Sequence, residues 1–202
     1  MTTREKIIKE SLELFSVYGY DSVSVRAIAD KVGVTNSALY KHFKGKMAIL
    51  EAILEESKKR FVEQYTKIGI EDMQWDNLEE LCMAMFEFQT KDEWITKFRK
   101  ILIMEQFKNQ ELAALYQQFF IEMPVICQAE IFQSLIQQGI LKDNDATVMS
   151  MELYAPFFMY HTVNNETKDY KTLLKKHVHN FIISNMEASD GANYSKEVSS
   201  QE

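Results

Sequence analysis

The stretch that decides the fold is Ser24–Lys46, which reads SVRAIADKVGVTNSALYKHFKGK. Ser24 is a favourable N-cap, because its hydroxyl can accept a hydrogen bond from the first turn of a helix. The apolar residues that follow share one face of that helix: Ile28, Ala29 and Val32. Gly33 can adopt the left-handed conformation that ends a helix.

The same signals repeat directly afterwards. Thr35 is a second favourable N-cap, and Leu39 and Phe43 form the inner face of the helix that it opens. Ala29 is small, so the second helix can cross the first one closely. Two short helices joined by a Gly-containing turn predict a helix-turn-helix.

The outward residues of the second helix have the chemistry of base readers. In a helix-turn-helix, the N-terminal half of this helix enters the major groove of DNA. Asn can bond adenine through two hydrogen bonds, Ser tolerates several bases, and Ala can contact the thymine methyl group. The residues predicted to face the groove are Asn36, Ser37, Ala38 and Lys41.

A second set of residues is predicted to bind the DNA backbone. Tyr40, His42 and Lys46 can donate hydrogen bonds to phosphate. The hydroxyls of Ser24 and Thr35 lie at helix N-termini, where backbone N–H groups favour anions. Arg26 completes the predicted DNA-binding set.

A helix pair of this kind also occurs as an inert structural hairpin, and the charge distribution favours the DNA-binding interpretation. Residues 1–46, the head, carry eight Lys or Arg and five Asp or Glu, for a net charge of +3. Residues 47–202 carry fifteen and twenty-five, for −10. A basic head on an acidic remainder indicates that only the head approaches a polyanion.

The rest of the chain is predicted to be helical, because 202 residues contain only six Gly and two Pro. A long helix runs from Lys46 to about Tyr65. Five more follow, at about 76–89, 92–107, 110–137, 145–164 and 168–187. Asp92 and Asp145 are expected N-caps. Pro124 and Pro156 fall inside two of these helices and predict kinks, either harmless or opening space beside a core.

Several classes of protein are excluded by composition. Cys82 and Cys127 are far apart and without a motif, which disfavours a disulfide framework or a zinc ribbon and favours a reducing compartment. The N-terminus lacks the apolar run of a signal peptide, and no apolar stretch approaches the roughly 20 residues of a membrane span. We therefore expect a soluble, cytoplasmic protein.

The first 54 or so residues closely resemble the N-terminal domain of TetR-like transcriptional regulators. Ordered matches at fixed spacing carry this resemblance: Phe15, Gly19-Tyr20, Ile28-Ala29, Gly33-Val34-Thr35, Tyr40-x-His42-Phe43 and Lys46. Two residues depart from the family pattern, since Val32 stands where Ala is common and Ser37 where Gly is common. The second departure affects how closely the backbone approaches a phosphate.

The resemblance implies an all-α protein with a three-helix helix-turn-helix domain and a helical bundle for ligand binding and dimerisation. The corresponding divisions are 1–46, 47–188 (the body) and a polar, disordered tail at 189–202. It further implies a homodimeric repressor on a palindromic operator, released by a small effector, with the last two helices forming a four-helix interface. No cofactor or metal is expected.

The body offers candidate residues for the pocket and the interface. Met and aromatic side chains at helical spacing are usually core, but together they also suit a pocket that repacks around apolar ligands. The nominated pocket residues are Phe98, Glu105, Phe107, Tyr116, Phe120, Met123, Phe157 and His161. The last helix has an apolar arc of about 180°, which fits either a partner subunit or intrachain packing. Its nominated interface residues are Tyr170, Leu174, Val178, Phe181 and Ile182.

Catalytic motifs are absent from the sequence. It contains no Gly-rich phosphate loop, no G-x-S-x-G elbow and no H-E-x-x-H. The alternative to a DNA-binding regulator is an all-helical small-molecule enzyme or carrier in which the hairpin is only structural.

Overall fold

The computed structural model of the chain describes residues 1–69, 77–162 and 170–186. These residues form ten α-helices and no strand, which confirms the all-α class. The helices are α1 Thr3–Tyr18, α2 Val25–Val32, α3 Asn36–Tyr40, α4 Lys46–Ile68, α5 Leu78–Lys91, α6 Glu93–Glu105, α7 Gln110–Gln117, α8 Met123–Gln137, α9 Ala146–His161 and α10 Tyr170–Asn185. The predicted tail at 189–202 lies outside the described residues.

The helix starts follow the predicted caps. The Asp92 carboxylate accepts a hydrogen bond from the backbone N–H of Ile95 at 2.9 Å, which opens α6. Asp145 does the same for Thr147 and Val148, at 2.8 and 3.0 Å, which opens α9. Local hydrogen-bonding chemistry therefore fixes where these elements begin.

The predicted helix 110–137 is interrupted by a π-helical turn, Gln118–Glu122, before Pro124 in the first turn of α8. Proline has no N–H, so the carbonyl four residues earlier, that of Phe120, loses its helical partner. The Tyr154 hydroxyl of α9 donates a hydrogen bond to that carbonyl at 2.9 Å. The wider turn and this side-chain bond together accommodate the proline inside a continuous helical segment.

The described chain divides into two compact units. The first contains residues 1–67 and 88–116, and the second contains 68–87 and 117–202. Fully buried side chains of the first unit include Phe15, Ile28, Leu39, Ile49 and Phe98. Those of the second include Phe132, Met149, Leu153, Val178 and Ile182. The functional division at 46/47 remains a prediction, because α4 and α6 share a unit with the head.

The nominated interface residues of α10 require a correction. Leu174, Val178, Phe181 and Ile182 are buried within the core of the second unit, so they cannot offer surface to a partner. The fifth, Tyr170, is half-buried and packs edge-on against Phe86. An apolar arc of 180° is here explained by intrachain packing. The large apolar residues that α10 leaves exposed are Leu173 and Ile183.

The segment Gln110–Gln137 bears on the expectation that no apolar stretch approaches the length of a membrane span. By length and composition its 28 residues could cross a membrane, and it is the one such helix in the described ranges. Its polar residues are mostly uncharged Gln, so no purely apolar run marks this segment in the sequence. A single segment of this kind is weak support for a membrane span, because helices of soluble proteins share these properties.

Both cysteines are free thiols. Burial raises the pKa of Cys82 to about 12, with a smaller contribution from Glu79. A thiol with this pKa is almost entirely protonated at neutral pH and a poor nucleophile. Cys82 therefore acts as a small apolar side chain of α5.

Candidate nucleic-acid interface

The helix-turn-helix is held by the caps that the sequence predicts. The Ser24 hydroxyl accepts a hydrogen bond from the N–H of Ala27 at 3.1 Å, and the Thr35 hydroxyl accepts one from Ala38 at 3.2 Å. Gly33 is left-handed, with φ +80°, and its N–H bonds the Ala29 carbonyl at 3.0 Å. A Cβ at Gly33 would meet no atom within 4 Å, so the glycine is required by its φ and not by space.

Leu39 and Phe43 anchor α3, and the start of the helix is left outside. Leu39 is completely buried, and Phe43 is buried as well. Asn36 and Ser37 are exposed and Ala38 is half-buried. The helix ends at Tyr40, so Phe43 reaches the core from the following turn, where its N–H bonds the Leu39 carbonyl at 3.0 Å.

The exposed polar side chains around α3 are those predicted to meet phosphate. Tyr40 is 54% exposed, and Lys41 and His42 are also exposed. Arg26 on α2 is exposed and lies 3.9 Å from Asp30, one turn further along. A surface pair of this length is weak, so the guanidinium of Arg26 remains available to an anion.

Lys46 has a structural position within the head. Its ammonium donates hydrogen bonds to the carbonyls of Tyr20, at 2.7 Å, and Asp21, at 3.2 Å. It also lies 4.5 Å from the centroid of the Tyr20 ring. These contacts fasten the first residue of α4 to the turn between α1 and α2. The predicted phosphate contact of Lys46 remains a prediction.

Sequence reasoning missed two cations of α1. The Lys6 ammonium donates to the Val32 carbonyl at 2.9 Å, at the C-terminus of α2, where the helix dipole favours a positive charge. The guanidinium carbon of Arg4 lies 5.1 Å from the centroid of the Phe43 ring. Both side chains therefore connect α1 to the helix-turn-helix, Lys6 at the end of α2 and Arg4 at the ring of Phe43. Their roles depend on the tertiary structure, so spacing along the sequence gave no signal.

The nominated pocket residues divide between the two units. Phe98, Glu105, Phe107 and Tyr116 belong to the first, and Phe120, Met123, Phe157 and His161 to the second. Phe107 is 89% exposed, and Met123 is half exposed. An open groove of about 750 Å³ in the first unit is lined by other residues, among them Arg4, Lys9, Glu51, Glu55 and Lys59. The pocket therefore remains a prediction.

Glu105, nominated for the pocket, is buried within the first unit. Its side chain is 1% exposed, and its Oε1 accepts a hydrogen bond from the backbone N–H of Tyr20 at 2.9 Å. The carboxylate thus lies against the turn that ends α1.

Comparison with known proteins agrees with this geometry. The family model for bacterial regulatory proteins of the tetR family matches residues 7–53, which cover α1, α2, α3 and the start of α4. The head of the chain is therefore similar to the DNA-binding domain of the tetR family. The named relatives that match here are transcriptional regulators and tetracycline repressors.

The similarity to individual relatives is concentrated in the head. The chain is 39% identical over 70 residues to the regulator SrpR of Pseudomonas putida, which covers 34% of the chain and 33% of SrpR. It is 42% identical over 52 residues to the class C tetracycline repressor of Escherichia coli, covering 26% and 24%. The matched region therefore spans only a quarter to a third of these two relatives.

Solved structures extend the likeness of the fold along the chain. The SmeT–triclosan complex superposes with a TM-score of 0.74 at 19% identity, covering 93% of each chain. A TetR-family regulator from Mesorhizobium loti superposes with a TM-score of 0.67 at 24% identity, covering 92% of this chain and 97% of that one. The helical C-terminal part of the chain thus has the fold of these neighbours.

The contacts of Lys46 predict that it stabilises the head before any DNA is bound. Replacing it by Ala removes two charge-assisted hydrogen bonds and is expected to cost about 2 kcal/mol. At this chain length that lowers the Tm by roughly 4–8 °C in calorimetry without DNA. Lys41→Ala is the control, because Lys41 is an exposed cation and its loss should leave the Tm nearly unchanged. Equal Tm values for the two variants would contradict the structural role of Lys46.

Proposed function

We propose that the chain is a ligand-responsive repressor that binds a palindromic operator as a homodimer and is released by a small, largely apolar effector. The observation that carries this proposal is the exposed start of α3, held between the Thr35 cap and the Leu39 anchor. Asn36 and Ser37 then face solvent, where they can reach base edges in the major groove.

Two features favour a dimer: the spacing of half-sites on DNA and an exposed apolar face of α9 that a second copy of the chain could cover. Helix-turn-helix dimers bind half-sites one helical turn, or a multiple of it, apart. One face of α9 packs in the core, and the opposite face is apolar and exposed. The exposed apolar residues are Val148, Met151, Ala155 and Met159. At 100° per residue these side chains lie within an arc of about 80°. Exposed Leu173 and Ile183 extend the candidate interface onto α10.

The effector is proposed to bind among the helices of the body. The names of neighbours support a small and mostly apolar molecule: SmeT was solved with triclosan, and KstR2 of Mycobacterium tuberculosis is called a ketosteroid regulator. The body of this chain is rich in Met and aromatic side chains, which repack readily around such ligands. The nominated pocket residues remain candidates, with Phe107 and Met123 exposed in the single chain.

Release requires the effector to prefer one conformation. Taking a dimer from 99% to 1% operator-competent needs about 5.5 kcal/mol of differential affinity. We propose that the effector swings α4 and so changes the spacing of the two heads. A cytoplasmic location follows from this function, since the operator lies on bacterial DNA.

DNA binding by the head is expected to depend steeply on salt. Bound fragments are first selected from a random duplex pool, and the affinity of the selected site is then measured at 50 and 200 mM salt. With on the order of 6–10 phosphate contacts per dimer, the affinity should fall about 10³–10⁵-fold over this range. No binding to any duplex at 50 mM salt would favour a carrier with a structural hairpin.

Asn36 is expected to read one base pair in each half-site. Asn36→Ala should change the base preference at a single operator position in a repeated selection, at a cost of about 1–3 kcal/mol on the original site. Tyr40→Phe is the control, because loss of a phosphate donor weakens all sequences alike. Equal losses on every sequence for Asn36→Ala would refute its role as a base reader.

The exposed face of α9 is expected to carry the dimer contact. Met151 is 57% exposed, and Met151→Glu places a charge in the centre of that face. The mass in solution, by light scattering at micromolar concentration, should fall from twice 23.7 kDa to 23.7 kDa. Val62→Glu is the matched control, since Val62 is 63% exposed on α4. A Met151→Glu variant that keeps the dimer mass would exclude this face.

A further inference from the structure

Glu105, the last residue of α6, makes the contact from which we draw a new inference. We propose that Glu105 is a positioning residue that holds the DNA-binding head through the turn after α1, and so sets how well the protein discriminates its operator from other DNA. This inference rests on the proposed function. It concerns contacts within the first unit only.

The contact joins residues that are 85 positions apart in the sequence. The Glu105 Oε1 accepts the backbone N–H of Tyr20 at 2.9 Å, and the bond is buried. Gly19, directly before it, has φ +83° and ends α1. A Cβ at Gly19 would lie 2.7 Å from the same Oε1. Glycine is therefore required here by its φ, and any side chain at this position would displace the carboxylate.

Burial of the Glu105 carboxylate costs free energy unless hydrogen bonds replace those it would make to water. Glu105 is 1% exposed, and no hydrogen-bond partner for its Oε2 is found among the described residues. A buried carboxylate oxygen without a hydrogen-bond donor destabilises the folded state, whereas an apolar side chain at this position would avoid that penalty. The bond to Tyr20 is thus the interaction that the buried carboxylate provides to the fold.

Tyr20 connects Glu105 to the rest of the head. Its ring packs edge-on against Phe15 of α1, with centroids 5.2 Å apart. Its carbonyl and its ring both contact the Lys46 ammonium at the start of α4. One residue is therefore held on its N–H by α6 and on its carbonyl by α4. A displacement of the end of α6 acts directly on the turn that joins α1 to α2.

A second tie between α6 and α1 lies nearer the surface. Lys97 pairs with Glu13 of α1 and, at 2.5 Å, with Glu93 of its own helix. Burial lowers the pKa of Lys97, but its hydrogen bonds to Glu13 and Glu93 outweigh this effect and the net pKa is raised. Pairs with such exposed partners are weak and screened by salt. The buried bond of Glu105 is therefore the tie that fixes the orientation of the turn.

Orientation matters for specific binding more than for nonspecific binding. An operator-bound dimer must place both heads in register, while nonspecific binding depends on the charge that each head brings to phosphate. Loss of the Glu105 contact leaves the charge of the head unchanged and frees its orientation. The ratio of specific to nonspecific affinity should therefore fall.

The test compares variants of the full chain on the selected duplex and on a random duplex at the same salt concentration. Glu105→Ala and Glu105→Asp should lower the specificity ratio about 10- to 100-fold, since neither side chain reaches the N–H of Tyr20. Glu105→Gln keeps an acceptor oxygen at the same reach and should restore the ratio. Hydrogen exchange at the amide of Tyr20 should be faster in the first two variants and slow in the third.

Asp92→Ala is the matched control. It removes the N-cap at the other end of the same helix and the 3.3 Å ion pair of Asp92 with Arg60 of α4, both of which lie outside residues 1–46. It should leave both the ratio and the exchange of Tyr20 unchanged.

Two results would overturn the inference: an unchanged ratio in Glu105→Asp, or equal losses of specific and nonspecific affinity. Failure of the unmodified chain to bind any duplex would instead refute the proposed function.

Discussion

The burial of Leu39 and Phe43 is the constraint on which the DNA-binding surface depends. With only five residues, α3 is far too short to be stable by itself, because the free energy lost in nucleating a helix exceeds what the hydrogen bonds of one turn contribute. Its position is set by these two side chains in the core of the first unit and by the Thr35 cap. Asn36 and Ser37 are thus presented by packing behind them, and a change in that packing alters what they can reach.

The second unit is organised by a different balance. It packs α9 and α10 against α8 around Phe132, Met149 and Val178, yet α9 retains an apolar face that this core does not cover. Such a face is costly in water in proportion to its area. The two units therefore expose different chemistry: the first exposes polar and cationic groups, which we propose bind DNA, and the second exposes apolar groups, which we propose bind a second copy of the chain.

The features that sequence could predict are those encoded locally. The caps at Ser24, Thr35 and Asp92 depend on side chains within three residues of the backbone they bond. The contact of Glu105 could not be predicted in this way, because its partner is 85 residues away in the sequence. Periodicity also cannot separate an interior face from a partner face, and it is the structure that places the apolar side of α10 in the core of its own unit.

The π-helical turn at Gln118–Glu122 has a consequence for how this chain can vary in length. Such a turn accommodates one more residue than an α-helical turn, and each residue rotates a helix by about 100°. Deleting one residue there would restore regular winding and leave the faces of α8 in register, so that Phe132 and Leu135 keep their places in the core. Deleting one residue inside α8 would instead rotate every residue beyond it by about 100°, so natural deletions within this segment should fall in the π-helical turn.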